Sequence, residues 1–207
     1  MISRIPGWPA DLEAGPVRLR SPRVRDGAAW SEVRLRNEAW LAPWEPTSAL
    51  SWADRSTGAA WRATVASLRR SAREGTGLPF VVEYGGRLVG QVNVSSITRG
   101  ALRGATIGYW VDAAVAGRAI TPTAVALVID HCFARAGLHR IEIDIRPENE
   151  ASLRVVEKLG LRQEGYYRRF LDIDGAWRDH VAFALTSEEL GSTSLLARLP
   201  RLPLPPG

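Results

Sequence analysis

Apolar positions change their spacing several times along the chain, and each change marks an element. Val17–Arg20 reads as a short strand. From Asp26 to Trp40 the residues Trp30 and Val33, followed by Leu41, keep a helical interval, with Asp26 near the start. The stretch "LAPWEPTSAL" then breaks the pattern with two prolines. Ala59–Arg73 is a second helix, ending near Gly75 and Gly77. Two β-rich runs around Gly85-Gly86 follow, "PFVVEY" and "RLVGQVNVSSI", which signal a hairpin. Ala105–Val111 is the third run of this meander. Thr121 is placed to cap the next helix, with Pro122 at its first position and Gly137 at its left-handed terminus. Its body, "AVALVIDHCF", is apolar on most sides, so this helix is expected to be buried.

Strict alternation makes His139–Arg146 a strand. Asn149–Gly160 is a short amphipathic helix with Leu153, Val156 and Leu159 inward and Gly160 as terminator. The segment "LRQEGYYRRFLDIDGAWRDHVAFAL" closes as a long hairpin around Asp174-Gly175. The order predicts an α/β (α+β) mixture in one domain over residues 16–188. Residues 1–15 form an extension, and residues 189–207 a flexible proline-rich tail.

Composition changes this picture little, and charge somewhat more. Of 207 residues, 45% are hydrophobic and 24% charged, ordinary values for a globular domain. No apolar run is long enough for a membrane span, and the first residues lack the apolar centre of a signal peptide. The single cysteine, Cys132, lies in the apolar helix and reads as a buried core thiol. These features lead to the expectation of a cytoplasmic protein. The net charge of +5 is carried mostly by arginine and favours acidic partners: a phosphate-bearing cofactor, RNA, or the vicinity of an RNA-rich particle such as the ribosome. A plain solvated arginine surface explains it equally well. Three scattered histidines and one cysteine make no metal site.

The chemistry concentrates after Val111. A strand, a small-residue loop with Gly117, Arg118 and Ala119, and then a helix start form an anion site in outline. The first helical N–H groups lack internal partners, and the helix dipole adds partial positive charge there. The loop is neither a Walker A sequence nor a dinucleotide fingerprint, and a plain strand-to-helix turn has the same outline. Asn149 and Ser152 open the next helix, where Asn149 is a good cap in any case. Arg154 and Lys158 follow on its exposed side, either to meet phosphates or simply to be solvated.

The order of elements, the loop Ala116–Thr121 and the pair Asn149-x-x-Ser152 resemble the GCN5-related N-acetyltransferase (GNAT) family. "RPENEASLRVVEKLGLRQEG", "DIDGAWRDHVAFALT" and "LAPWEP" resemble its RimJ/RimL branch, on the RimJ side, which acetylates N-termini of ribosomal proteins. The likeness covers about residues 16–188, although Ala116, Ala119 and Thr121 depart from the family's loop pattern. It implies a mixed central sheet of about seven strands flanked by about four helices. It further implies acetyl-coenzyme A as cosubstrate, held by Trp110, Val111, Gly117, Arg118, Ala119, Ile120, Thr121, Asn149, Ser152 and Lys158. Ser152 would protonate the leaving thiolate, with Tyr166 or Tyr167 as alternative acids. Trp44, Glu45, Asn93 and Tyr109 would border the acceptor, Glu45 anchoring or deprotonating its amine. The expected acceptor is the N-terminal α-amine of a small-subunit ribosomal protein beginning with alanine. Transfer to small-molecule amines or lysines, and a non-catalytic acyl-coenzyme A-binding module on the ribosome, are the alternatives. The fourth family strand, here "IGYWV", carries no glutamate to serve as a base.

Overall fold

The computed structural model describes residues 5–200 and contains one eight-stranded sheet. The strands are β1 (Asp11–Ala14), β2 (Val17–Arg20), β3 (Leu78–Tyr84), β4 (Arg87–Thr98), β5 (Gly104–Val111), β6 (Arg140–Ile145), β7 (Arg162–Ile173) and β8 (Ala176–Thr186). Their order is β1-β2-β3-β4-β5-β6-β8-β7. The four long helices are α1 (Gly27–Arg36), α4 (Gly58–Glu74), α5 (Ile120–Ala134) and α6 (Glu150–Leu159). Single turns make α2 (Glu38–Leu41), α3 (Trp52–Arg55) and α7 (Ser187–Leu190).

The expected hairpins form around Gly85-Gly86 and Asp174-Gly175, where positive φ angles suit glycine and aspartate. Two expectations at the chain ends are corrected. The N-terminal extension contributes β1, paired antiparallel with β2, which brings the sheet to eight strands. The tail is packed as far as Leu199. Leu195 is fully buried, and the Asp130 carboxylate accepts hydrogen bonds from the Leu195 and Leu196 N–H groups at 2.7 and 3.0 Å. Residues 201–207 of that tail lie outside the described residues.

Two layers of helix sandwich the sheet. α1 and α4 cover one face through Trp30, Val33, Trp61 and Val65, which pack on Val81 and Leu88. α5 crosses the other face and buries Val125, Val128, Ile129 and Cys132 in the main core. Burial pushes the Cys132 thiol up to about 12, so it stays protonated. Arg20 on β2 ties the sheet to the turn that leads into α1. Its guanidinium donates to Asp26 at 2.8 and 2.9 Å and to Glu83 at 2.8 Å, and all three groups are largely removed from water.

Among the described residues β5 and β6 are the only parallel neighbours, and they stay paired for three residues, Gly104–Thr106 against Arg140–Glu142. Beyond Thr106 they diverge. β5 keeps β4 on one side, β6 keeps β8 on the other, and the sheet opens between them into a wedge. Backbone N–H and C=O groups along such an edge have no strand partner there.

Candidate active site

Three abutting cavities follow this wedge. The loop cavity, about 180 Å³, lies at the start of α5 and touches Gly117, Ala119, Ile120 and Thr121, with Arg154 and Lys158 opposite on α6. The central cavity, about 370 Å³, is walled by Trp40, Trp44, Trp110 and Val111 and by the first turns of α6. The wedge cavity, about 160 Å³, sits between β5 and β6 among Gly108, Tyr109, Asp144, Arg146 and His180. Trp40, Val111 and Thr121 border the first two, whereas Trp44, Tyr109, Asn149 and Ser152 border the last two. The result is one groove from a helix start to the inside of a split sheet.

Its donor-like end is built from backbone. α5 begins at Ile120, and Ala119 is its cap residue in the left-handed region (φ 58°), with no side chain capping the amides. Thr121 therefore lies inside the first turn and is not the cap. Gly117 also has positive φ (80°), and a Cβ there would meet nothing within 4 Å. An alanine held left-handed costs of order 1 kcal/mol, which the surroundings must impose. Asp112 imposes it. Its carboxylate accepts from Arg36 (2.5 Å), the Asn37 amide (2.8 Å) and the Ala114 N–H (3.1 Å), while Asn37 Oδ1 accepts from the Ala113 N–H (3.0 Å). Burial raises the Asp112 pKa, but these bonds outweigh it and hold the group below the usual range. Arg36, Asn37 and Asp112 brace the loop from α1, a role that their separation in sequence hid.

At the middle of the groove, Asn149 caps α6, its side-chain oxygen accepting the Ser152 N–H at 3.1 Å. That cap fixes the first turn of α6, where Ser152 borders both the central and the wedge cavities. The Tyr109 hydroxyl donates to the Ser152 carbonyl at 3.4 Å, which ties Tyr109 to the first turn of α6. Burial raises the Tyr109 pKa and keeps the phenol protonated. Trp40 donates from Nε1 to the Val111 carbonyl at 3.0 Å and forms a wall where loop and central cavities meet.

The loop carrying Trp44 and Glu45 closes the other side of the central cavity. Arg146 stacks over Trp44 at 5.1 Å and donates to the Pro43 carbonyl at 2.7 Å. Pro46 bridges Ile173, and the Thr47 N–H donates to the Asp172 carbonyl, which stitches the loop to the closing hairpin.

Several expected site residues are placed elsewhere or engaged otherwise. Glu45 borders the central cavity, but buried Arg34 grips both its oxygens, one contact being 2.9 Å, and Arg55 is 3.4 Å away. Asn93 lies outside the three cavities, in a separate hollow between β4 and α4. Tyr166 is exposed, donates to Asp179 at 2.9 Å and does not border the groove. Tyr167 points toward Glu142 and is absent from the groove walls too. Arg118 is exposed and does not line the loop cavity. Trp110 borders the central cavity, though its Nε1 donates to Gln91 at 3.2 Å. Asp144 and His180 both border the wedge; in the sequence Asp144 shows only strand alternation and His180 only its place in the closing hairpin motif. Among the described residues no group of three or more His, Cys, Asp or Glu could hold a metal, and no helix is long and apolar enough to cross a membrane.

With this geometry in hand, the chain can be set beside known proteins. The family model described as "Acetyltransferase (GNAT) domain" matches residues 17–162. The structure superposes with a TM-score of 0.92 on Mycobacterium smegmatis RimJ in complex with CoA-disulfide, at 45% identity over 95% of this chain and 96% of that one. The [Ribosomal protein uS5]-alanine N-acetyltransferase of Escherichia coli (strain K12) is 29% identical over 84% of this chain and 92% of its own length. The probable N-acetyltransferase YjcK of Bacillus subtilis (strain 168) is 44% identical over a shorter stretch, 50% of this chain and 57% of that protein. The overall architecture is thus shared with RimJ of Mycobacterium smegmatis, and the chain belongs to the GNAT acetyltransferase family, in the branch that includes RimJ.

Proposed function

We propose that this protein transfers the acetyl group of acetyl-coenzyme A to the N-terminal α-amine of a ribosomal protein, one that begins with alanine. The observation that carries the reading is the continuous groove from the α5 start to the Tyr109–Ser152 pair. Its dimensions and chemistry fit the donor in parts. A pyrophosphate suits the uncapped α5 amides, with Arg154 and Lys158 opposite. An amide-bearing arm suits the unpartnered edge of β5. A thioester then lies beside Ser152 and Tyr109, either of which can protonate a departing thiolate. Glu45 we read as a brace for Arg34 rather than as an anchor for the amine.

Acceptor choice follows from proton energetics. An α-amine with a pKa of about 8 is roughly a tenth neutral at pH 7, a cost of about 1.4 kcal/mol. A lysine near 10.4 costs about 4.6 kcal/mol, so the α-amine suits a site with no glutamate on β5. The names of the relatives, which specify alanine of ribosomal proteins, support the same acceptor. A small-subunit protein, the vicinity of the ribosome and a cytoplasmic setting go with this reading, and the net charge of +5 suits an RNA-rich neighbourhood.

The test is a competition, read by intact mass. One peptide has a free N-terminal alanine; the other has a blocked N-terminus and an internal lysine. The alanine peptide is expected to be acetylated more than a hundredfold faster. Preferential modification of the blocked peptide would overturn the assignment in favour of lysines or small amines. Modification of neither, with coenzyme A still bound, would favour a non-catalytic module.

A further inference from the structure

Asp144 is the ionisable group at the groove for which the proposed chemistry has so far given no use. The β6 side chains alternate, with Ile141, Ile143 and Ile145 entering the core and Arg140, Glu142 and Asp144 facing the other way. Asp144 stands opposite Ala182 of β8, so His180, two residues along, is its diagonal neighbour on the same face. Both side chains border the wedge cavity. Asp144 Oδ1 is buried without a hydrogen-bond partner among the described residues. A carboxylate oxygen kept dry and unpaired is costly, and a ligand cation would relieve that cost.

The placement relative to the hydroxyls matters as much. Tyr109 packs against the core on one face of the sheet, and Gly108, its neighbour, presents the opposite face without a side chain. Ser152 and Tyr109 thus reach the wedge from the α6 side, and Asp144 and His180 from the other. An acyl carbonyl between them would be attacked from one side and would release its thiolate toward the other.

We propose that Asp144 binds the acceptor's α-ammonium and removes its proton before attack, an inference that rests on the N-terminal acetylation reading above. One ammonium proton passes to Asp144. The freed lone pair forms the N–C bond while the C–S bond breaks. The second proton shed by the nitrogen balances the one taken up by the thiolate beside Ser152 and Tyr109. The proton on Asp144 then leaves to water. His180 is a positioning residue. Its Nδ1 lies 3.1 Å from the Arg178 carbonyl, which assigns the proton to Nδ1 and leaves Nε2 to accept a second ammonium hydrogen. Burial lowers the His180 pKa and keeps the ring neutral.

Burial, and secondarily Glu142, lifts the Asp144 carboxyl to about 6, within reach of an α-amine. The charged or titratable groups facing it are Glu142 and Arg140 on β6, Tyr167 on β7, His180 on β8 and Arg146 just past β6. Arg140 is held by Glu142 and Glu164, and Arg146 by Glu148, so neither pairs with Asp144.

The experiment is kcat/KM against pH for the alanine peptide, with the full chain and its Asp144→Asn variant. The parent is expected to lose activity below about pH 6 and to hold a plateau toward the amine pKa near 8. The variant should fall ~10²-fold at pH 7 and recover as pH rises through about 8, because it can use only neutral amine. Coenzyme A affinity should be unchanged. A variant with the parent's rate and profile would overturn the proposal. Should the variant not fold, the parent decides alone: no acidic limb between pH 5 and 7 also overturns it. If the parent acetylates no α-amine at all, the functional reading fails, an outcome distinct from an active parent insensitive to Asp144.

Discussion

On the proposed function, the donor end of the groove is the one made of backbone, and the acceptor end the one made of side chains. At the α5 start, Gly117, the left-handed Ala119 and uncapped amides present N–H groups, and the charged side chains that line the cavity there are Arg154 and Lys158. The wedge is lined by Asp144, His180, Tyr109 and Ser152, of which the proposed reaction uses Asp144, Tyr109 and Ser152 to move protons. The difference matches two tasks. A pyrophosphate needs fixed positive dipoles that no change of pH removes. An amine that must shed a proton needs groups that titrate. Perturbations at the two ends should therefore have different signatures, one in binding and one in rate.

The largest expected effect is at the donor end. Coenzyme A at about 100 times its dissociation constant should stabilise the parent by ~2.7 kcal/mol. Gly117→Glu should erase that thermal shift, because it sets a carboxylate against the phosphates and forces a side chain onto φ 80°. Gly117→Ala carries the strain without the charge and should keep a reduced shift, so the pair separates the two causes. A parent protein whose melting does not respond to coenzyme A would break the comparison at its donor half.

Next comes the hinge between the ends. Ser152→Ala should lower turnover ~10²-fold and leave coenzyme A affinity nearly unchanged. If it does not, Tyr109→Phe is the next variant, because Tyr109 and not Tyr166 or Tyr167 shares the cavity with Ser152. Glu45→Gln should act on stability before catalysis. It leaves the Arg34 guanidinium, sandwiched between Trp30 and Trp52, without its counter-ion, at a cost of ~2 kcal/mol read from denaturant melts.

The smallest effect is a pH-dependent one at the acceptor end. Asp144 titrates at about 6 in the folded protein against an ordinary 3.8, so burying its charge costs stability above about pH 6 and the cost disappears as pH falls toward 3.8. Asp144→Asn should consequently melt higher than the parent at pH 8, with the gap closing below pH 5. A gap independent of pH would mean that the carboxylate is not desolvated.

The same contrast governs what could be read from the sequence. The donor end is local: a strand, a loop with Gly117, a helix start and a cap with Ser152 three residues on, all within a few dozen residues. Short-range rules suffice for such a unit, but they put the cap at Thr121 instead of Ala119 and Arg118 in the cavity it does not line, and they could not see the brace from Arg36 and Asn37, which lies far away in sequence. The acceptor end is assembled by β6 and β8 across a sheet. Asp144 read as one more polar position of an alternating strand, and His180 as part of a hairpin motif, until their register brought them together. β1 was missed because four residues with two carboxylates carry little periodic signal. The tail looked flexible by composition, whereas Leu195 finds a core slot and Asp130 caps the turn that follows it.

The central claim is that both ends lie on one path and meet at an α-amine. A conjugate with coenzyme A joined through an acetyl bridge to the α-nitrogen of an alanine peptide spans that path. Titrated calorimetrically, it should bind at least ~10²-fold more tightly than coenzyme A, because the second end is engaged intramolecularly. The same bridge made to a lysine side chain of a blocked peptide should gain little. An alanine conjugate that binds no more tightly than coenzyme A, or less tightly than the lysine conjugate, would contradict the account.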